Sequence, residues 1–457
     1  METNNNILNT AYTEYFDLLD GYFRGIYQPG IDKDIQANYI IRMEKAAKVI
    51  LLSIDDIADD IAKFWNKYAG PVLSYIREKD IFKALYCGQI SPLEGQQFVK
   101  RTAMYVDSIL IEDPISALVR IKNLSTDNAY LLRMIQHAFN LMDMKELFFD
   151  IGGSPILTIY PSFHDDDNNQ KLKEYVHNYG LLYFSELLDN NFNDIDSFLD
   201  YFKSFNNPDK LTKVIKQPEM LPKNENQSIY DFVNEVYKSI VESRRDSSGV
   251  TIGTALAHKI LGQLTGIGTY LFQSSILNSQ LAFDSEYYWK IYKWNINHQN
   301  KDINIDDLVL NSLNLENFSW LGNIPIDKLI LLKKEGELSK VRNVLRKNIY
   351  SCTSSKGDIT EISSKALYNI EEALKEHNSQ VKEIEKALRK KFIIDGPIII
   401  LGIVSAIFSG PLSLVPTLGL ASTIYGGCDL TKSIITSFEM KKHMKTGVFG
   451  MLFNAKK

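Results

Sequence analysis

Residues 392–427 read FIIDGPIIILGIVSAIFSGPLSLVPTLGLASTIYGG and hold a single charge, Asp395, in thirty-six positions. Apolar surface left in water costs about 25 cal/mol per Å². Such a run therefore ends in a bilayer, in a protein core or between copies of the chain. A helix needs about 20 residues to cross the hydrocarbon of a membrane, so the run is long for one span and short for two. Proline removes a backbone donor and clashes with the preceding turn. Gly410-Pro411 and Pro416 thus cut the run into two apolar arms, 397–409 and 415–426. Two short arms suit a re-entrant or interfacial hairpin. Its lipid-contacting side chains are expected to be Ile398, Ile399, Leu401, Ile403, Ile407 and Phe408 on the first arm. On the second they are Leu414, Leu418, Leu420 and Ile424.

Basic residues flank the run: Arg389, Lys390 and Lys391 before it, and Lys432, Lys441, Lys442, Lys445, Lys456 and Lys457 after it. Cations on both sides suit a hairpin whose ends stay on the cytoplasmic face. They also suit anionic lipid, at about 1 kcal/mol per basic residue near the surface. Two other placements compete. The hairpin can form the core of a helical protein, or it can form an oligomer interface.

The segment before the run, 358–391, reads as one long amphipathic helix. Ile370, Ala373, His377, Val381, Ile384 and Leu388 follow three- and four-residue steps, a seam of coiled-coil type that suits a protein partner or self-association. Elsewhere the chain is ordinary: 45% hydrophobic and 23% charged, too apolar to be disordered. Its net charge of −5 offers no cationic excess for phosphates, so no nucleic-acid partner is expected. Cys87, Cys352 and Cys428 are few and scattered, without Cys-x-x-Cys spacing. With a first segment, METNNN, that lacks a secretory pattern, they predict a cytoplasmic protein.

The fold class expected is mainly α, with a small α/β insert. Residues 1–105 read as helical. Ile40, Met43, Ala47, Ile50, Ile54, Ile57, Ile61 and Phe64 recur at helical steps, and Gly70-Pro71 is expected to end that helix and start another. CGQISP (87–92) reads as a turn. Residues 106–245 are mixed. DSILIEDP (107–114) and PILTIYPS (155–162) look like buried strands, with a helix between them from Ser125-Thr126-Asp127 to about Phe149. Strand, helix, strand over this length suits a parallel pair. Residues 246–350 read as helical again, including an uncharged, glycine-containing core helix over 260–283. Residues 351–457 form the C-terminal module.

Two patterns suggest chemistry. IDDIADDI (54–61) places Asp55 and Asp59 four residues apart on one helix face, with Asp56 beside them. Such carboxylates can hold Mg²⁺ with a diphosphate filling the remaining positions. The pattern resembles the aspartate-rich motif of class I terpene synthases and prenyltransferases, and NDIDSFLD (193–200) resembles their second metal motif through Asn193 and Ser197. The resemblance implies an all-helical, Mg²⁺-dependent enzyme acting on a prenyl diphosphate. It covers these two short motifs alone. Asp200 stands where the family has Glu, and Asn193-Asp194 sit where a helix N-cap is expected. The simpler account is a solvated acidic face.

The second pattern follows from the expected parallel pair. The strands' carboxyl ends present Glu112-Asp113 and His164-Asp165-Asp166-Asp167. Ligand sites in such sheets lie at carboxyl ends, and Asp113, His164 and Asp166 could hold a divalent ion. The alternative is a turn at Asp113-Pro114 and helix capping by the aspartates. There is no GxxxxGK[ST] loop and no GxSxG elbow. GVTIGTA (249–255) lacks the lysine of a phosphate cradle. The chain is accordingly expected to be a non-enzymatic, membrane-acting effector, toxin- or defence-like, with a soluble resting form and no cofactor. The competing expectations are the Mg²⁺ enzyme and a soluble scaffold.

Overall fold

The computed structural model describes residues 2–25, 50–78, 80–88, 94–121, 127–150, 153–161, 166–223, 226–243, 247–284, 286–299, 304–313 and 324–334, with isolated positions beyond. Tyr368 apart, the amphipathic segment 358–391 and the apolar run 392–427 lie outside them. The chain divides into two compact units, 1–322 and 323–457. Of the second, the longest described element is one helix, Ile326–Lys334.

The first unit is mostly helical around a four-stranded parallel sheet. Its strands are β1 (Lys83–Cys87), β2 (Ser108–Glu112), β3 (Leu157–Tyr160) and β4 (Gln280–Phe283). Their order is β3-β2-β1-β4, and every pairing is parallel. All five residues of β1 and all four of β3 are buried, as in a sheet covered on both faces.

The expected strand-helix-strand unit is present. β2 and β3 pair in parallel, with Leu110 opposite Thr158 and Ile111 opposite Ile159. The helical segment between them begins earlier and breaks sooner than the sequence suggests. Asp113-Pro114 opens α4 (Pro114–Ile121), and α5 (Asp127–Asp143) gives way to a 3₁₀ turn at Lys145–Phe148. Leu131, Met134, Ile135, Ala138 and Leu141 of α5 are buried, the apolar side its spacing predicts.

Three expectations need correction. The opening region is not wholly helical, because β1 lies within it and ends on Cys87; residues 89–92 of the expected turn lie outside the described residues. α1 (Glu2–Phe23) and α2 (Ile54–Glu78) precede β1, and α3 (Glu94–Ala103) follows it. Gly70-Pro71 does not stop α2, which runs through Pro71. Proline inside a helix costs about 3 kcal/mol. Here Trp65, Tyr68, Val72, Tyr75 and Ile76 continue one buried stripe across it, and their packing outweighs the lost bond. Finally, the uncharged helix over 260–283 does not reach 283. α10 (Ile252–Leu277) ends where Asn278 turns left-handed (φ 48°, ψ 60°), and the chain enters β4.

Between β3 and α10 come α6 (Asp166–Leu188), α7 (Ile195–Lys203), α8 (Pro208–Val214) and α9 (Ile229–Ser243). α10 is the hub of this half and packs on α6, α7, α9, β1 and β4. Its start is held by Thr251 and Thr254 in a reciprocal capping box. Gly253 lets the Phe202 carbonyl of α7 approach where a Cβ would overlap it.

β4 is an edge strand, and a helix rather than a fifth strand satisfies its backbone. α11 (Glu286–His298) and α12 (Ile305–Leu313) follow β4, and α12 lies along it. Asp307 accepts from the Leu281 amide at 2.8 Å, and Asn311, one turn on, accepts from the Phe283 amide at 2.9 Å. Asn311 also donates to the Leu281 carbonyl at 3.1 Å. Two side chains thus complete the ladder and close the edge.

Burial pushes the Asp307 carboxyl up to about 6, against the pull of the Leu281 amide and the Tyr292 hydroxyl. A carboxyl raised in the folded state holds its proton longer there than in the unfolded chain. Its contribution is present below the ordinary aspartate range and fades as pH rises through about 6. Asp307→Asn should flatten the fall in melting temperature between about pH 4 and pH 6, measured by thermal denaturation at fixed ionic strength. An unchanged slope would mean that the carboxyl does not titrate there.

Candidate functional site

The chain runs β1, β2, β3 across the sheet in one direction, then returns through α6–α10 to place β4 on the other side of β1. The connection from β1 to β2 runs one way across the sheet, and the connection from β3 to β4 runs back past β1. That reversal marks a switch point at the carboxyl ends of β1 and β4, the position at which open parallel sheets form a ligand-binding crevice.

The residues there are distinctive. Just beyond β4, the Asp284 amide donates to the Cys87 carbonyl at 3.2 Å, and the Asp284 carboxylate accepts from the Tyr86 hydroxyl at 3.0 Å. Gly88 is needed at the end of β1 because any Cβ would overlap that carboxylate. At the end of β2, Glu112 accepts from the Gln273 amide of α10 at 3.2 Å, and Gln273 in turn accepts from the Tyr160 hydroxyl of β3 at 3.0 Å. Tyr270, one turn before Gln273, meets Tyr288 of α11 edge to face, with ring centroids 6.2 Å apart and planes at 79°. Tyr86 meets Phe98 of α3 in the same manner at 4.6 Å. The crevice therefore gathers two carboxylates, a carboxamide and four tyrosines from β1, β2, β3, α10, α11 and the end of β4.

Burial, foremost, and neighbouring negative charge hold the tyrosine hydroxyls protonated. Tyr86 is raised well above the phenol range by burial and then by Asp284. Tyr288 is pushed up to about 12 by burial, then Asp284 and Cys87. Tyr270 is raised by burial, then by Tyr288, Cys87, Asp284 and Glu112. Burial likewise lifts the Cys87 thiol, which is not a nucleophile near neutral pH. The site offers neutral donors, aromatic surface and carboxylate acceptors.

The candidates named from sequence fall in several places. Asp113 is next to Glu112, but alternation along the strand turns it to the opposite face. There its fully buried carboxylate accepts from the Tyr15 hydroxyl at 2.7 Å, the Trp65 indole at 2.6 Å and the Ile115 amide at 3.0 Å. Burial raises its pKa despite these donors. Asp113 thus joins α1, α2 and the start of α4. Asp166 opens α6, and His164 lies outside the described residues.

Asp55, Asp56 and Asp59 lie exposed on α2. Asp60 beside them accepts from Tyr22 at 2.8 Å and pairs with Lys63 at 3.0 Å. Asn193 is exposed, and Ser197 closes a capping box with Asp194 at the start of α7, the N-cap that the sequence suggests. Among the described residues, no three His, Cys, Asp or Glu side chains gather as a metal site. Glu112 was legible as a strand-end acid. Asp284, Gln273 and the tyrosines were not, because their meeting requires β4, which has no sequence signal of its own.

A comparison of the chain with protein-family models, curated proteins and solved structures finds no match.

Asp113→Ala should destabilise the fold by about 2–5 kcal/mol, since it strands the buried Tyr15 and Trp65 donors. The pair Asp55→Asn with Asp59→Asn should stay within about 0.5 kcal/mol of the parent, as exposed substitutions do. Urea denaturation of each variant measures both.

Proposed function

We propose that the chain is a non-enzymatic, ligand-responsive effector that acts at a membrane. Residues 1–322 would bind a small ligand at the carboxyl edge of the sheet, and the C-terminal module would meet lipid. One observation carries this reading. The sheet and the helices around it lie within a compact unit ending at Gly322, while the apolar run 392–427 belongs by sequence to the other unit. The apolar character of the run and its basic flanks both call for a partner of matching chemistry.

Lipid explains both. Arg389-Lys390-Lys391 and the C-terminal lysines would sit at an anionic cytoplasmic surface while 397–409 and 415–426 fold back into the membrane as a hairpin. Among the described residues no helix is long and apolar enough to cross a membrane, so the membrane role rests on the apolar run. The amphipathic segment 358–391 would supply the contact with a partner or a second copy.

The full chain should pellet with vesicles containing anionic lipid, and a chain ending at Lys391 should not. Raising the salt should release part of the bound protein by screening the basic flanks. Equal pelleting of the two chains, with the shorter one shown to be folded by circular dichroism, would remove lipid contact from the function.

A further inference from the structure

We infer that His298 is a pH-sensitive clasp, which as an imidazolium holds the carboxyl-terminal end of α11 against α6. Its ring sits in the last turn of α11, with an acceptor at each nitrogen. Nδ1 lies 2.8 Å from the Trp294 carbonyl oxygen, and Nε2 lies 2.6 Å from Oε1 of Glu186 on α6. A neutral imidazole has one N–H and one lone pair. It can donate to one of these oxygens and must aim its lone pair at the other. The imidazolium donates to both. Glu186 is set up for it, because the Trp294 indole donates to its second oxygen at 2.8 Å, leaving Oε1 to the histidine. The His298 ring also lies on the Trp294 ring, with centroids 4.2 Å apart and planes at 36°, a placement in which the indole face attracts a cation.

The position suits a sensor. The side chains of His298 and Glu186 are 29% and 38% exposed, so protons reach the pair from solvent while the helices stay packed. From α6, Glu186 brings the charge, and Tyr183 and Tyr179 meet the Trp294 ring at 5.1 Å and 6.5 Å. Lys216 joins the same end of α6 through its amide, which donates to the Leu187 carbonyl at 2.8 Å. Lys290 and Lys293 lie on α11 itself. α10, which packs on α11, has no charged residue after Lys259, and its Tyr270 meets Tyr288 near the other end of α11. α12 contributes Asp307, to which Tyr292 donates. Carboxylate and imidazolium coexist above the carboxylate range and below the histidine range. As pH rises through about 5 to 8, where histidine changes charge, the ring gives up one bond and its attraction to Glu186. The end of α11 then loses a link to α6, while Tyr292 still holds the helix to the edge of the sheet. The consequence is a local opening of the kind that helix ends undergo before a core does.

The test is hydrogen–deuterium exchange of the full chain across about pH 5 to 8, with rates corrected for the intrinsic effect of pH. Protection of residues 293–299 should fall severalfold over that range, while α10 keeps its protection. His298→Gln, which cannot gain a charge, should be flat at the level the parent reaches at high pH. Glu186→Gln should lower protection at the acidic end toward that same level. A parent profile that does not change with pH overturns the clasp. So does a fall that survives in His298→Gln, which would belong to another group, or a fall shared by α10, which would be a general loosening. If His298→Gln fails to fold, Glu186→Gln decides, and an unchanged profile there overturns the clasp.

Discussion

A single buried carboxylate, Asp113, organises the amino-terminal half of this protein. An unpaired ion in a core is expensive, so a buried aspartate persists only where donors meet it from all sides. The Tyr15 hydroxyl of α1, the Trp65 indole of α2 and the Ile115 amide at the start of α4 do so. Because Asp113 directly follows β2, these bonds fix two long helices to the end of a central strand. The Asp113 amide also donates to the Tyr160 carbonyl at 2.9 Å, carrying the β2–β3 ladder one residue further. Alternation then decides what lies opposite. With Asp113 committed to α1 and α2, Glu112 turns toward α10 and the crevice. The same two residues therefore provide an anchor to α1 and α2 on one face and an acceptor for Gln273 of α10 on the other.

The crevice depends equally on how the far edge of the sheet is closed. β4 carries Asp284 past Gly88 only because β4 pairs in register with β1, with Cys87 opposite Phe283. Its outer edge is held by Asp307 and Asn311 of α12, and Tyr292 of α11 donates to Asp307 at 2.7 Å. Hydrogen bonds thus join the edge, α11 and α12. α11 also presents Tyr288 to the crevice, so a ligand seated against Tyr288 would feel the same elements that close the edge. Gln273 adds a second connection. It is buried in α10 and spans from Tyr160 of β3 to Glu112 of β2, so the hub helix, two strands and the site share one polar chain.

Half of the sheet was legible in the sequence, for a physical reason. β2 (SILIE) and β3 (LTIY) contain Ile and Thr, whose branched side chains favour the pleated surface, and acids or Pro bound them. β1 (KALYC) and β4 (QLAF) contain no β-branched residue. Their strand state comes from pairing with each other and with β2, so it appears only once the chain has folded. The site suffered more than the fold, because a switch point exists only when strands distant in sequence are neighbours. Pro71 shows the converse. Its local signal was strong and misleading, because a continuous stripe from Trp65 to Ile76 overrides one missing hydrogen bond. Local signals decided the elements where they agreed with burial and failed where long-range packing opposed them.

The arms proposed to meet lipid are short enough to constrain how they could act. Residues 397–409 span about 20 Å as a helix at 1.5 Å per residue, less than the roughly 30 Å of a bilayer core. An arm of that length ends within the hydrocarbon, and the break at Gly410-Pro411 would return the chain to the side it entered from. Each large apolar side chain of the arms gains about 1.5–3 kcal/mol on leaving water. Ten of them far exceed what any ligand could supply, since a ligand shifts an equilibrium only by its differential affinity for the two states. A hundredfold difference is worth about 2.7 kcal/mol. Ligand control is therefore feasible only if the arms never choose between water and lipid. They must choose between a protein cover and lipid, two environments that remove the same apolar area from water. The hydrophobic term then nearly cancels, and the balance passes to weaker forces: the basic flanks at an anionic surface, and whatever a ligand at the sheet's edge adds to one side.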